Sequence, residues 1–118
     1  MRIHDYEKLL VWQKSMDLVI EIYRLTKQFP SSEIYVLVSQ MRRASISIPS
    51  NIAEGSRRNT KKDFCRFLIL AFSSGSELET QIKIAERLNF GKVSGYSKIN
   101  MLLTEIMKML NKLIEVNQ

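Results

Sequence analysis

Seven basic residues fall within residues 42–66 and could together bind the phosphate groups of a nucleic acid. They are Arg42, Arg43, Arg57, Arg58, Lys61, Lys62 and Arg66. The same stretch contains only two acids, Glu54 and Asp63, so it carries +5 of the net charge of +6. Because lysine and arginine side chains neutralise phosphates without reading the base sequence, these seven residues are the candidate nucleic-acid-binding site.

Residues that catalyse reactions or bind metals are few and do not cluster. One histidine, His4, and one cysteine, Cys65, exclude a zinc finger, a haem attachment motif, a Cys–His nucleophilic pair and the Glu-x-x-His pairs of di-iron bundles. The four glycines form no phosphate-binding loop. Glu77 and Glu79 point to different faces of a helix, and an ion pair between Glu79 and Lys83 is the simpler interpretation. We therefore predict a protein that is not an enzyme and binds no cofactor or metal.

Four segments of the chain show the periodicity of amphipathic helices, with apolar residues every three or four positions. The first runs over residues 6–29 and has two apolar stripes, the second over 31–55, the third from residue 60 to 85 and the fourth from 99 to 113. We expect three helices to begin at N-terminal caps, which are Asp5, Ser31 and Thr60, the last with Asp63. We expect the first helix to end at Pro30 and the second at Gly55, with Gly55 in the left-handed conformation.

Two residues interrupt the predicted helices. Pro49 removes a backbone hydrogen bond from the second helix, so we expect a kink there, with nearby serines satisfying the freed groups. Gly75 lies on the apolar seam of the third helix, where it predicts the close approach of another backbone. The alternative at Gly75 is a weak point or a local bend.

Long helices joined by short connections favour an all-α fold, an up-and-down antiparallel four-helix bundle with a proline kink in the second helix. The 118 residues suit one domain, 1–118. The sequence has no secretory signal and no apolar run approaching the ~20 residues of a membrane span, so we expect a cytoplasmic protein that does not interact with membranes. The first and fourth helices are apolar around more than one seam, which predicts a homo-oligomer in which these two helices supply much of the contact; a monomer with a broad core is the alternative.

Two motifs are more specific than helical periodicity requires. Residues 41–55 read MRRASISIPSNIAEG, and residues 75–81 read GSELETQ. Together with the basic segment 61–68, the WQK at 12–14 and Phe29-Pro30, they resemble the bacterial four-helix-bundle proteins named for intervening sequences in 23S ribosomal RNA genes. The resemblance implies a homopentamer. It also implies a distant similarity to the accessory protein of diversity-generating retroelements, a basic pentamer associated with a reverse transcriptase and nucleic acid.

Two functions remain open from the sequence. In the first, the basic residues bind RNA or DNA. In the second, the protein is an oligomeric structural or adaptor protein that binds another protein, and the same bases form ion pairs between subunits. Arg43 shares its helix with a buried stripe, so we expect it to be structural and to pair with a glutamate.

Overall fold

The computed structural model describes residues 5–118, and every regular element within that range is helical. The four main helices are α1 (Leu10–Thr26), α2 (Ser39–Ser56), α3 (Lys61–Arg87) and α4 (Ser94–Val116). Short 3-10 turns at Tyr6–Lys8 and Ser31–Glu33 and a π-helix at Ile34–Val38 complete the elements. Each helix packs against its neighbours in the chain, and α1 also packs against α4. The result is the predicted four-helix bundle, 45 Å long.

The core of the bundle is formed by one apolar stripe from each helix. In α3 the whole predicted seam is buried. Along α1 and the turn that follows it, the buried stripe is the second one, Leu18, Ile22, Leu25 and Phe29, whereas Met16 of the first stripe is exposed. The wide apolar surface of α1 therefore has two parts, one in the core and one facing outward. None of the described helices is long and apolar enough to cross a membrane.

The predicted start of the first helix is wrong by four residues. The α-helix begins at Leu10, because Leu9 has an extended backbone (φ −74°, ψ 123°) that separates it from the 3-10 turn. Asp5 precedes that turn, and its side chain forms no capping hydrogen bond. The Tyr6 ring packs edge-on against Trp12, with ring centroids 5.3 Å apart, so the turn folds back onto α1. His4 lies outside the described residues.

The start of α3 confirms the predicted cap, and two other boundaries differ. The Thr60 hydroxyl accepts a hydrogen bond from the Asp63 N–H, at 3.1 Å. Ser31 lies within a 3-10 turn and forms no side-chain cap, and α1 ends at Thr26, before Pro30. Pro49 is buried inside α2, which continues on both sides of it; the kink itself stays a prediction.

Both glycines singled out in the sequence differ from their predicted roles. Gly55 lies within α2 rather than in a left-handed terminus. A Cβ atom built on it would lie 2.7 Å from the Phe67 Cβ and 3.2 Å from the Phe64 carbonyl oxygen, so this is where two helix backbones approach closely. At Gly75 the neighbour is the flexible end of the Met107 side chain, which corrects the prediction of a close backbone there.

The antiparallel arrangement gives the bundle two different ends. At the first, which we call the basic end, α1 and α3 begin and α2 and α4 end; the Cys65 thiol lies 3.8 Å from the Ile114 carbonyl oxygen there. At the second, the loop end, the Gln28 side chain accepts a hydrogen bond from the Lys92 N–H at 2.7 Å. Tyr96 also lies at the loop end, where burial, with the Glu86 carboxylate adding to it, raises its pKa to about 12.

Candidate nucleic-acid interface

Five of the seven predicted binding residues lie together at the basic end. They form the connection between α2 and α3 and the first two turns of α3, and we call them the basic corner: Arg57, Arg58, Lys61, Lys62 and Arg66. Arg42 and Arg43 are not part of it. They precede Arg57 by 15 and 14 residues along helical α2, or about 20 Å at 1.5 Å per residue.

Each arginine of the basic corner lies over an aromatic ring. The Arg57 guanidinium carbon lies 5.3 Å from the centroid of the Tyr6 ring, and Arg57 Nη2 donates a 3.4 Å hydrogen bond to the Tyr6 hydroxyl. Arg58 and Arg66 lie 4.7 Å and 5.6 Å from the centroid of Phe67. Cation–π contacts of this kind restrict the guanidinium groups without neutralising them.

Arg58 is the most constrained of these residues. Its Nη2 lies 3.4 Å from a Glu54 carboxylate oxygen, and its Nε is buried with no hydrogen-bond partner. Arg66 lies 4.0 Å from the Asp63 carboxylate, one turn earlier on α3. Both acids of the basic segment therefore contact arginines. These contacts partly offset the positive charge of Arg58 and Arg66, whereas the charge of Arg57, Lys61 and Lys62 is not offset within the described residues.

Lys61 and Lys62 are the most available cations of the corner. Both are exposed, and neither they nor Arg57 form an ion pair with a carboxylate within residues 5–118. They occupy the first turn of α3, where backbone N–H groups lack partners within the helix. The Asp63 N–H is taken by Thr60, so the N–H groups of Lys61 and Lys62 remain to face an anion beside the two ammonium groups.

The structure adds residues to this end that the sequence did not point to. Lys61, Lys62 and Arg66 line a groove of about 610 Å³ together with Asp63, and Asn117 and Gln118 line it from the end of α4. Lys108 and Lys112, four residues apart on α4, line a neighbouring groove with the start of α1. Their spacing places both lysines on one face of α4. Only the packing of α4 against α1 shows that this face lies at the basic end.

Arg42, rather than Arg43, is the structural arginine. Arg42 Nε donates a 3.0 Å hydrogen bond to the Thr26 hydroxyl, and its guanidinium lies 4.3 Å from the centroid of the Tyr23 ring. Arg43 is exposed and forms no ion pair with a described glutamate of its own chain, so a pairing with a glutamate of another subunit stays a prediction. Of these two neighbouring residues on α2, only Arg42 contacts the Thr26 and Tyr23 side chains of α1.

The acidic side chains and the cysteine of the described chain form no metal-binding cluster. Within residues 5–118, no three His, Cys, Asp or Glu residues are placed to hold a metal ion. Glu79 does not pair with Lys83 as predicted, and Glu77 instead accepts a 3.4 Å hydrogen bond from the Gln81 side chain.

Known proteins resemble this chain over nearly its whole length. Residues 7–112, which include the basic corner, match the family described as 23S rRNA-intervening sequence protein. A crystal structure of a protein of unknown function from the S23 ribosomal protein family of Bacteroides thetaiotaomicron is similar, with a TM-score of 0.79 and 30% sequence identity. The match covers 89% of this chain and 98% of that one. No curated protein matches the chain.

Proposed function

This chain belongs to the family of 23S rRNA-intervening sequence proteins, and we propose that it is a non-enzymatic, oligomeric protein that binds the phosphate backbone of RNA or DNA through the basic corner. One observation carries the proposal. Lys61 and Lys62 project exposed, unpaired ammonium groups beside two free N–H groups at the start of a 27-residue helix. Ammonium groups and a helix N-terminus both attract phosphate, and here they act at one point.

The arginines of the corner support phosphate binding by being held in place. A guanidinium group that already lies on an aromatic ring loses little conformational freedom when it binds a phosphate. Arg57 is the clearest case, because it lies on Tyr6 and forms no ion pair with a carboxylate of residues 5–118. We assign Arg58, with its contact to Glu54, to holding the shape of the connection.

The same contacts argue against recognition of bases at the corner. Proteins that bind single-stranded nucleic acid stack bases on free aromatic rings. At the corner, Tyr6 packs against Trp12 and Arg57, and the Phe67 ring lies beneath two guanidinium groups. The proposed contacts are therefore to phosphates, and we expect affinity to depend strongly on salt and little on base sequence.

Self-association is supported by an apolar surface that runs along α1 and α2. Met16 and Ile20 of α1 are 40% and 50% exposed, and Ile46 of α2 is 42% exposed. A groove of about 330 Å³ lies in this surface, with Trp12 and Pro49 among its lining residues. A second copy of the chain that covered this surface would bury it, and each added copy would add a basic corner and raise the effective concentration of binding sites.

Reversal of the two free lysine charges tests nucleic-acid binding. The double variant Lys61→Glu/Lys62→Glu should bind both an RNA oligonucleotide and a DNA duplex more weakly than the parent. On the duplex, the log–log salt slope should fall by about 0.9 for each phosphate that the variant no longer neutralises. The matched control is Lys83→Glu/Arg87→Glu, which makes the same charge change on exposed residues of α3 about 30 Å away, at the loop end.

Fluorescence anisotropy over a series of salt concentrations measures both effects. The control should lose much less affinity than the Lys61/Lys62 variant. Equal losses in the two double variants would mean that net charge alone drives binding and that the corner is not a site. If the parent binds neither RNA nor DNA at low salt, the adaptor function replaces this proposal.

A further inference from the structure

We propose that a groove near the loop end, between the end of α1 and the start of α2, binds a short acidic peptide segment of another protein that carries an apolar side chain. The groove has a volume of about 770 Å³. It lies about 20 Å along α2 from the basic corner, so it is a separate surface.

The charge of the groove points to an anionic partner. Three of its twelve lining residues are basic, Lys27, Arg42 and Arg43, and none is acidic. Glu33, the nearest acid in the sequence, does not line it. Three positive charges without a facing carboxylate favour a partner that brings its own carboxylates.

The two arginines are suited to carboxylates in different ways. The Nε of Arg42 is bound to Thr26 and its plane lies on Tyr23, so its two remaining nitrogens have a fixed direction. A planar guanidinium held in this way matches the two oxygens of a carboxylate. Arg43, exposed on the next position of α2, has no ion-pair partner among the described residues and is free to reach a second carboxylate.

The apolar half of the groove comes from the π-helix that precedes α2. Ile34 is 50% exposed and Tyr35 is 93% exposed, and both line the groove. Exposed neighbouring apolar side chains of this kind mark contact surfaces, and π-helical turns occur frequently at functional sites. An apolar anchor on the peptide would pack here while its acids reach the arginines.

A peptide suits this groove better than a nucleic acid does. Three cations share the groove with the exposed side chains of Ile34 and Tyr35, whereas a nucleic-acid channel is a positively charged groove that follows the phosphate backbone. Apolar anchors flanked by charged contacts are the usual pattern of peptide recognition in grooves. The inference therefore does not depend on nucleic-acid binding at the basic corner.

Selection from a phage-displayed library of random peptides on the full chain tests the inference. We expect enriched peptides to combine aspartate or glutamate with leucine, isoleucine or phenylalanine. A fluorescein-labelled synthetic copy of the most enriched peptide should then bind Arg43→Glu about tenfold or more weakly than the parent, the loss expected from one charge-assisted hydrogen bond. Tyr35→Ser should also weaken it, whereas Lys83→Glu and Lys61→Glu/Lys62→Glu should not.

Several results would overturn the inference. They are no enrichment above background, enriched peptides without acids, and equal binding to the parent and Arg43→Glu. Displacement of the labelled peptide by an RNA oligonucleotide from both the parent and Lys61→Glu/Lys62→Glu would make the groove a nucleic-acid site. A lower molecular mass of Arg43→Glu in light scattering would make it a contact between copies of this chain.

Discussion

Gly55 and Gly75 are both buried in helices, yet the atoms above them predict opposite effects of an added methyl group. Above Gly55 lie the Cβ of Phe67 and the backbone oxygen of Phe64, which cannot move without shifting α3 against α2. Above Gly75 lies the thioether end of Met107, which has several rotatable bonds and can turn away.

We predict that Gly55→Ala destabilises the protein by about 1–3 kcal/mol, the usual effect of overpacking, despite the better helix propensity of alanine. Gly75→Ala should be neutral or stabilising by up to about 1 kcal/mol, because the helix gains propensity and only a flexible side chain must move. Urea denaturation monitored by circular dichroism measures both. If Gly55→Ala is as stable as the parent and as Gly75→Ala, α2 and α3 can move apart at Gly55 without a loss of stability.

The sequence identified the basic residues but not the roles of individual arginines. The sequence shows seven bases in one segment and therefore a concentration of positive charge. It does not show that Arg57 stacks on Tyr6, because the two residues are 51 positions apart. Similarly, Arg42 and Arg43 are adjacent in the sequence, and only the packing of α2 against α1 decides which of them contacts Thr26. Such contacts depend on tertiary distances that a single sequence does not contain.

At the level of elements, apolar periodicity predicted the helices well and their ends less well. The seam of α3 is buried throughout because its period matches a helix that packs on two neighbours. The predicted helix ends were wrong where a local contact competes with the helix, as where the 3-10 turn at Tyr6 packs against Trp12. The π-helix at Ile34–Val38 has apolar residues at positions that also suit an α-helix, so its sequence did not reveal it.

The cap of α3 allows a test at this level. We predict that Thr60→Ala lowers stability by about 0.5–2 kcal/mol, because the Asp63 N–H loses its hydroxyl acceptor. Thr80→Ala, an exposed change in the middle of the same helix, is the control and should be neutral or slightly stabilising. If urea midpoints fall equally for the two variants, the hydroxyl of Thr60 does not stabilise the start of α3.

At the level of the whole molecule, polar and apolar contacts divide the surface of α1. Toward α4, ion pairs cross the seam: Lys14 Nζ lies 3.1 Å from a Glu105 oxygen, and Lys98 Nζ lies 3.5 Å from a Glu21 oxygen. Toward α2, the corresponding surface is apolar. The expectation that α1 and α4 supply the contact between subunits came from their apolar composition, which does not tell a buried side chain from an exposed one.

The apolar groove lined by Met16 of α1 and Ile46 of α2 instead favours α1 and α2 as the contact between subunits. We predict that the parent protein is a homo-oligomer in light scattering at micromolar concentration, with a mass near five times the 13.8 kDa chain if the pentamer implied by the family resemblance forms. Ile20→Glu and Ile46→Glu should lower that mass, because an apolar contact that receives an unpaired carboxylate loses burial and must desolvate a charge. Met101→Glu on α4, at a residue 57% exposed, is the matched control and should leave the mass unchanged. A parent mass of one chain would rule out the oligomer, and a decrease of mass in Met101→Glu alone would return the contact to α4.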